Sequence, residues 1–248
     1  MRVTCVDWTD VLGPGPQAPR CTPAGVVLAP IDREAIDLVW HRRGYPSRPP
    51  YLDTHRLTEH HHRAWAIDGA RYDPDRAAEQ LAADADDSVE RVGARGAPSV
   101  VALDTELLGH FWPEGVDWLR AVLEACERRG VELAPPGGGA AVEAPPAAAV
   151  TSWGERRDLR TWSAPPAGSL AWLQRRAELR AFAGRGRPPD RALRELLALQ
   201  ASDWAFLTAA GTAGDYPRER AEGHLAAFEA ALADPSMDAA LRHLAPLL

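Results

Sequence analysis

The feature that most constrains how this chain folds is a change of pattern at APPGGGAAVEAPPAAAV, residues 134–150. Upstream of this segment, short apolar runs alternate with helical patterns, whereas only helical patterns follow it. A segment made mostly of proline, glycine and alanine buries little apolar surface and is typical of a connector. The sequence therefore predicts two domains, residues 1–133 and 151–248, joined by this connector.

Apolar runs in the first domain predict β-strands. Each run is continuous rather than alternating, which is typical of strands buried on both faces of a mostly parallel sheet. The runs are VTCV (3–6), GVVLAPI (25–31), AWAI (64–67) and SVVAL (99–103), with a further short strand at 131–133. Helical patterns lie between them; two begin near Asp32 and Pro74, and a third ends at Gly130. This alternation predicts an α/β layer or barrel.

The second domain is predicted to be α-helical, because amphipathic patterns succeed one another without a strand pattern. In the middle segment the leucines form one helical face, and Arg191, Arg194 and Glu195 form the opposite, polar face. The helical segments are 169–184, 190–201 and 216–233.

Composition excludes several classes of function. The formal net charge is −7, so electrostatic attraction to nucleic acid or to an anionic membrane surface is not expected. Cys5, Cys21 and Cys126 are odd in number and lack a CxxC spacing, so neither a disulfide framework nor a zinc site is predicted. The amino terminus lacks a signal peptide's apolar core, and no apolar run reaches the roughly 20 residues of a membrane span. A soluble, cytoplasmic protein is expected.

The stretch ALDTELLGHFW, residues 102–112, is the strongest candidate for chemistry. If the run before it is a buried parallel strand, Asp104 lies at the carboxyl end of that strand, where α/β folds place their active sites. Partial burial beside Phe111 and Trp112 would raise the pKa of its carboxyl group, as a general acid near neutral pH requires. Glycosidic bond cleavage uses two such carboxyl groups, and aromatic rings suit the C–H faces of a sugar. Alternatively, Asp104 and Glu106 cap the following helix or face solvent.

The same stretch, extended to ALDTELLGHFWPEGVDWL, resembles a signature of glycoside hydrolase family 57, especially of its 1,4-α-glucan branching enzymes. Other segments of that family are similar, in the same order, to RCTPAGVVLAP, VWHRRGYPSRPPY and RYDPDRAAEQLAADADD. The helical carboxyl-terminal region of those enzymes is similar to TSWGERRDLRTW and LLALQASDWAFLTAAGTAGDYPRERAEGHLAAF. An ordered series of matches is more specific than any one of them. The resemblance implies a partial (β/α)7-type barrel, an incomplete parallel sheet with helices, followed by an α-helical carboxyl-terminal domain.

By this resemblance the protein acts on an α-1,4-glucan, such as glycogen, amylose or a maltooligosaccharide, by a retaining mechanism. Asp104 matches the position of the family's acid/base, and neither a cofactor nor a metal is implied because the chemistry uses carboxylates alone. His110 lies beside Asp104 in the signature and has either an orienting or a structural role. For Trp204, packing between helices is at least as good an interpretation as sugar binding. The candidate substrate-binding residues are Trp40, His110, Trp112, Trp153, Trp162 and Trp204.

The match departs from the family where the nucleophile is expected. The family's glutamate nucleophile lies upstream of the segment that resembles VTCVDWTDVLG, so the nucleophile-bearing half of the barrel is expected to be absent from this chain. Glu106 belongs to the same signature as Asp104 and is not the family nucleophile. The short loop GPGPQAPR lacks a tyrosine that the branching enzymes carry, which leaves branching, hydrolysis and glucan transfer open. Three consecutive histidines, His60 to His62, predict a solvated loop, because they cannot all face one metal ion from a regular element.

Three functions therefore remain open. The first is the acid/base-bearing half of a glucan branching enzyme or α-glucanotransferase of glycogen metabolism, completed by a nucleophile-bearing half. The second is a non-catalytic glucan-binding or regulatory protein derived from the same family, and the third is a small enzyme that uses Asp104 and Glu106. Whether the chain is an enzyme by itself stays open. An incomplete barrel has an unpaired sheet edge, so association with a complementary amino-terminal-half chain or self-association is expected.

Overall fold

Short strands and long helices make up the first of the two units into which the chain divides, Met1–Thr151 and Ser152–Leu248. The structure is a computed structural model. It describes residues 3–136, 150–153, 156–184, 186–239 and 244–245. The predicted connector, 134–150, therefore lies mostly outside the described residues.

Three short strands form the sheet of the first unit: β1 (Val3–Val6), β2 (Arg20–Cys21) and β3 (Val27–Pro30). Their order is β1-β3-β2. β1 and β3 are parallel, with Val3 opposite Val27, and β2 is antiparallel to β3, with Arg20 opposite Leu28. The carboxyl ends of β1 and β3 therefore lie at one edge of the sheet, the edge where α/β folds place functional side chains.

The helices described in this unit are α1 (Thr9–Leu12), α2 (Arg33–Trp40), α3 (Pro74–Gly93) and α4 (Gly115–Arg129). The predicted helix starts are confirmed by caps, because side chains there satisfy free backbone N–H groups. Asp32 accepts a hydrogen bond from Ala35 N at 3.1 Å, and Asp73 accepts one from Asp75 N at 3.0 Å. α4 ends at Gly130, whose φ of 66° is the left-handed conformation that glycine adopts most readily.

The core of the first unit is a cluster of aromatic rings packed among α2, α3 and α4. The centroid of the Trp112 ring lies 5.3 Å from those of Tyr51 and Trp118, and Tyr45 lies 6.2 Å from Trp118. None of the four side chains is more than 3% exposed. Because buried aromatic side chains dominate the energetics of a core, this cluster fixes α4 against the stretch that carries Asp104.

The strands predicted at 64–67, 99–103 and 131–133 are wrong. Residues 64–67 form only isolated bridges, such as that of Ala66 with Leu52. Residues 99–103 and 131–133 belong to no sheet. A short apolar run does not by itself establish strand pairing; in these runs Ala66 is buried, whereas Val101 and Leu133 are exposed. The described residues thus form a mixed α/β fold with a three-stranded sheet.

The second unit contains helices and no strand in its described residues. The three predicted helices are confirmed as α6 (Gly168–Phe182), α7 (Asp190–Leu199) and α9 (Tyr216–Ala233). The prediction lacks α5 (Arg160–Ser163), a single turn, and α8 (Ser202–Ala210). α8 is apolar around most of its circumference, so it has no amphipathic period to recognise.

The polar residues predicted to lie opposite the leucines of α7 are mostly buried, which the sequence does not indicate. Arg194 is 8% exposed and Glu195 is 2% exposed. Arg191 Nε donates to Glu195 Oε1 at 2.8 Å, and His224 Nδ1 of α9 lies 2.8 Å from Glu195 Oε2. α9 packs over this face, so the charged side chains pair with one another instead of with water.

Candidate functional site

Asp104 lies at the start of a 3-10 turn, Thr105–Leu107, rather than at the end of a strand in a sheet. The residue is half-buried, and its carbonyl accepts a hydrogen bond from Leu107 N at 3.2 Å. Leu103 before it and Leu107 after it both pack into the aromatic core, and Leu107 is 4% exposed. Asp104 is thus held at the surface of the core between two leucines.

The stretch that leads to Asp104 is tied to the amino-terminal end of α2. Asp32 N donates to Val100 O at 2.9 Å, and Ser99 Oγ donates to Asp32 Oδ2 at 2.7 Å. Arg95 Nη1 donates to both carboxylate oxygens of Asp32 at 2.5 Å. Asp32 is 0% exposed. A buried carboxylate with these donors is ion-paired and does not act as a free nucleophile.

Asp7 directly follows β1, at the edge of the sheet where Asp32 follows β3. Its carboxylate accepts hydrogen bonds from Arg33, from Thr9 N at 3.2 Å and from Thr9 Oγ1 at 2.5 Å. Burial alone would raise the pKa of Asp7, but the hydrogen bonds from Thr9 and Arg33 outweigh it and lower the pKa below 3.8. Near neutral pH Asp7 is therefore ionised and paired with Arg33. Asp7 and Asp32 each come directly after an apolar run of the sequence. From that pattern the sequence predicts only that a helix begins near Asp32, and it does not predict the ion pairs of either residue.

The residues after the turn present two rings to solvent. His110 and Phe111 are exposed, Phe111 by 57%, and their ring centroids lie 4.7 Å apart in an edge-to-face arrangement. Trp112 is 1% exposed. Its ring packs in the core of this structure and is closed off from solvent, and contact of Trp112 with substrate stays a prediction.

The other predicted substrate-binding tryptophans differ in exposure. Trp40, at the end of α2, is half-buried and packs against the aromatic core of the first unit. Trp153 is 42% exposed, and Trp162 on α5 is half-buried. Trp204 Nε1 donates to Ala198 O at 2.8 Å. Trp204 also packs against the core of the helical unit. This agrees with the interpretation of Trp204 as a residue that packs between helices.

Within the first unit the structure brings together four of the predicted site residues. Asp104, His110 and Trp112 lie within one short stretch, and Trp40 packs on the core that contains Trp112. The remaining three, Trp153, Trp162 and Trp204, belong to the second unit.

Metal ligation and membrane insertion can be assessed over the same described ranges. They contain no group of three or more histidine, cysteine, aspartate or glutamate side chains that could hold a metal ion. His60, His61 and His62 are exposed, which confirms the solvated loop. Among the described helices, none is long and apolar enough to cross a membrane.

A comparison with family models gives a match to part of this chain. Residues 173–244 match the family model described as "1,4-alpha-glucan branching enzyme, C-terminal". The match lies within the helical second unit.

Individual relatives extend the similarity to the first unit. The chain is 33% identical over 245 residues to a probable 1,4-alpha-glucan branching enzyme of Mycobacterium tuberculosis, covering 80% of this chain and 45% of that protein. A crystal structure of a GH57 branching enzyme from Thermococcus kodakaraensis, in complex with glucose, gives a TM-score of 0.74 at 28% identity and covers 91% of this chain. The GH57-type branching enzyme of Pyrococcus horikoshii gives 0.75 at 27% identity and covers 96%.

The chain spans about half the length of these relatives, namely 45%, 50% and 52%. It is therefore similar to the carboxyl-terminal half of glycoside hydrolase family 57 branching enzymes, and the predicted resemblance is confirmed.

Proposed function

We propose that this chain acts on α-glucans as the acid/base-bearing part of a retaining glucan branching enzyme or α-glucanotransferase, with Asp104 as the acid/base. The observation that carries the proposal is that similarity to branching enzymes extends over 91% and 96% of the chain in two structures. Such a match covers both units, not only the helical part that matches the family model.

The proposed chemistry assigns one carboxyl group to each of two tasks. Asp104 protonates the glycosidic oxygen as the bond breaks, and its carboxylate then takes a proton from the incoming hydroxyl group. The nucleophile of a retaining mechanism lies about 5–5.5 Å from the acid/base. Asp7 and Asp32, which lie after β1 and β3, are held in ion pairs with Arg33 and Arg95. We therefore assign the nucleophile to a carboxylate of the segment that precedes the matched region in the family.

The open edge of β1 supports this assignment. In the described residues β1 pairs with β3 only. Its other edge offers unpaired backbone groups to a further parallel strand, because a strand at the edge of a sheet is a template for pairing. A strand added there, from a preceding segment or from another chain, would extend the three-stranded sheet toward the (β/α)7-type barrel.

A second candidate function is glucan binding without catalysis. The observation that favours it is that Asp7 is paired with Arg33 and Asp32 with Arg95. Because both carboxylates are paired, neither serves as the free nucleophile that catalysis by Asp104 requires. The exposed rings of Phe111 and Trp153 would serve binding in either case.

Binding is tested by titrating the chain with a maltooligosaccharide and following tryptophan fluorescence. A saturable change is expected, and Trp153→Ala is expected to weaken binding about two- to ten-fold, as loss of one stacking ring predicts. The matched control is Trp172→Ala on α6, because Trp172 is 73% exposed but lies outside the predicted site. The proposal fails if fluorescence does not change, or if a β-linked oligosaccharide of the same length binds equally well.

A further inference from the structure

We infer that Asp32 is the positioning residue for Asp104. The effect of Asp32 on catalysis rests on the proposed function, in which Asp104 is the acid/base. Asp32 touches no substrate in this assignment. It acts through the stretch 95–100, which delivers the chain to Asp104.

The stretch before Asp104 lacks the support that a strand in a sheet would receive. Residues 99–103 form no ladder, and Val101 is 44% exposed. The conformation of such a segment depends on individual hydrogen bonds. Its backbone groups have no partners in a sheet, so they bond to side chains or to water instead. Three groups of the stretch 95–100 bond to Asp32: the Arg95 guanidinium, the Ser99 hydroxyl and the Val100 carbonyl.

Asp32 is itself rigidly placed by the sheet and by α2. It follows β3 after one residue, Ile31, whose N–H donates to Val6 O of β1 at 2.9 Å. Its side chain caps α2 through Ala35 N at 3.1 Å. One fully buried residue therefore joins the parallel strands, a helix start and the stretch that carries Asp104.

The Arg95 contact makes the effect local. Arg95 Nη2 also lies 3.4 Å from Glu34 Oε2, and the Arg95 side chain is 18% exposed. When Asp32 loses its charge, Arg95 can turn toward Glu34 and solvent, so the guanidinium is not left buried without a partner. The stretch 95–100 then loses its charged attachment to Asp32 and keeps the backbone bond from Asp32 N to Val100 O, while the aromatic core stays packed.

The test is hydrogen exchange of the full chain, comparing Asp32→Asn with Asp84→Asn. Asp84 is a matched control because it is also 0% exposed and pairs with one arginine, Arg48, which lies outside the stretch 95–100. Asp32→Asn is expected to speed exchange of the Leu107 and Leu108 amides, which donate to Asp104 O and Thr105 O, about ten- to hundred-fold relative to those of α4, the loss expected for hydrogen bonds to a charged group. Asp84→Asn is expected to leave that ratio unchanged.

A second pair of variants keeps the inference testable if Asp32→Asn does not fold. Ser99→Ala removes one donor and is expected to speed the same exchange about two- to ten-fold, whereas Ser99→Thr keeps the hydroxyl and is expected to exchange as the parent chain does. Equal exchange in Ser99→Ala and Ser99→Thr, or wild-type exchange in Asp32→Asn, overturns the positioning role.

The exchange experiment needs no glucan, so its failure is distinct from failure of the proposed function. Where glucan turnover is observed, Asp32→Asn is expected to lower kcat and leave KM near its parent value, because substrate contacts are unchanged and only the acid/base is displaced. A rise in KM with kcat unchanged would overturn the role of Asp32 in positioning Asp104.

Discussion

Replacing Asp84 with alanine is expected to lower the free energy of unfolding by about 2–4 kcal/mol. Asp84 lies on α3 and is 0% exposed. It accepts hydrogen bonds from Tyr51 Oη at 2.6 Å and Gln80 Nε2 at 2.7 Å, and it pairs with Arg48. Alanine leaves the buried Tyr51 hydroxyl and the Arg48 guanidinium without their acceptor. Chemical denaturation followed by circular dichroism measures the loss.

Asp87→Ala is the matched control for this prediction. Asp87 lies on the same helix and accepts from Tyr45 Oη at 2.8 Å, but its side chain is 35% exposed. Water can replace the lost carboxylate there, so a loss of about 1 kcal/mol or less is expected. Equal losses in the two variants would contradict the importance assigned to the buried carboxylate.

The pH dependence of stability separates Asp84 from Asp7. Burial outweighs the hydrogen bonds from Tyr51 and Gln80 and raises the pKa of Asp84 above 3.8, whereas the pKa of Asp7 is lowered below 3.8. Asp84 therefore contributes stability that is fully present below pH 3.8 and is lost as the pH rises through its folded pKa. Asp7 contributes stability that is present above pH 3.8 and is lost as the pH falls through its folded pKa. Asp84→Asn is expected to remove the first dependence and Asp7→Asn the second. Unfolding midpoints measured across acidic pH check both signs, and profiles that stay parallel to wild type would refute them.

Replacing Glu195 with alanine is expected to destabilise the helical unit by about 3–5 kcal/mol. Glu195 is 2% exposed and links Arg191 of α7 to His224 of α9. Arg220 can only donate, so its contact with His224 Nε2 at 3.3 Å makes that nitrogen the acceptor and leaves the proton on Nδ1, facing Glu195. Alanine removes the acceptor for both partners. Arg191 and His224 are 21% and 13% exposed, so solvent replaces it only in part.

The control for Glu195 is Glu178→Ala. Glu178 pairs with Arg175 at 2.5 Å on the surface of α6, where both side chains are partly exposed, so a change of about 0.5 kcal/mol or less is expected. Hydrogen exchange in α7 and α9 reports the effect within this unit. Slow exchange retained there in Glu195→Ala would show that packing alone holds these helices together.

The helices could be predicted because their signals are local. Asp32, Asp73 and Gly130 each bond to the backbone of the element that they begin or end, so their roles are visible within a few residues of sequence. The strand predicted at 99–103 failed because pairing depends on a distant partner, and an apolar run does not reveal whether that partner is present.

The sequence indicates candidate site residues, whose roles stay predictions, but it does not indicate how they pack. Asp104 is the residue that the motif indicates, and the structure leaves it accessible enough to act, at a turn instead of a strand end. Trp112 shares the motif, yet its ring packs on Tyr51 and Trp118, because α4 folds back over it. Burial of this kind, like that of Glu195 under α9, is decided by tertiary packing and has no local signal.

The central claim, that Asp104 is the acid/base of a glucan-acting site, is tested most directly by turnover of amylose with Asp104→Asn. The chain is combined with the part of the Mycobacterium tuberculosis relative that precedes the matched region, and new reducing ends and α-1,6 branches are measured. The account predicts Asp104-dependent turnover that falls about 10²- to 10⁴-fold in the variant. Release of the leaving group should recover with a glucoside whose leaving group needs no protonation, since acid catalysis is then dispensable, while the second step still lacks its base. Amylose turnover that Asp104→Asn leaves unchanged would contradict the account.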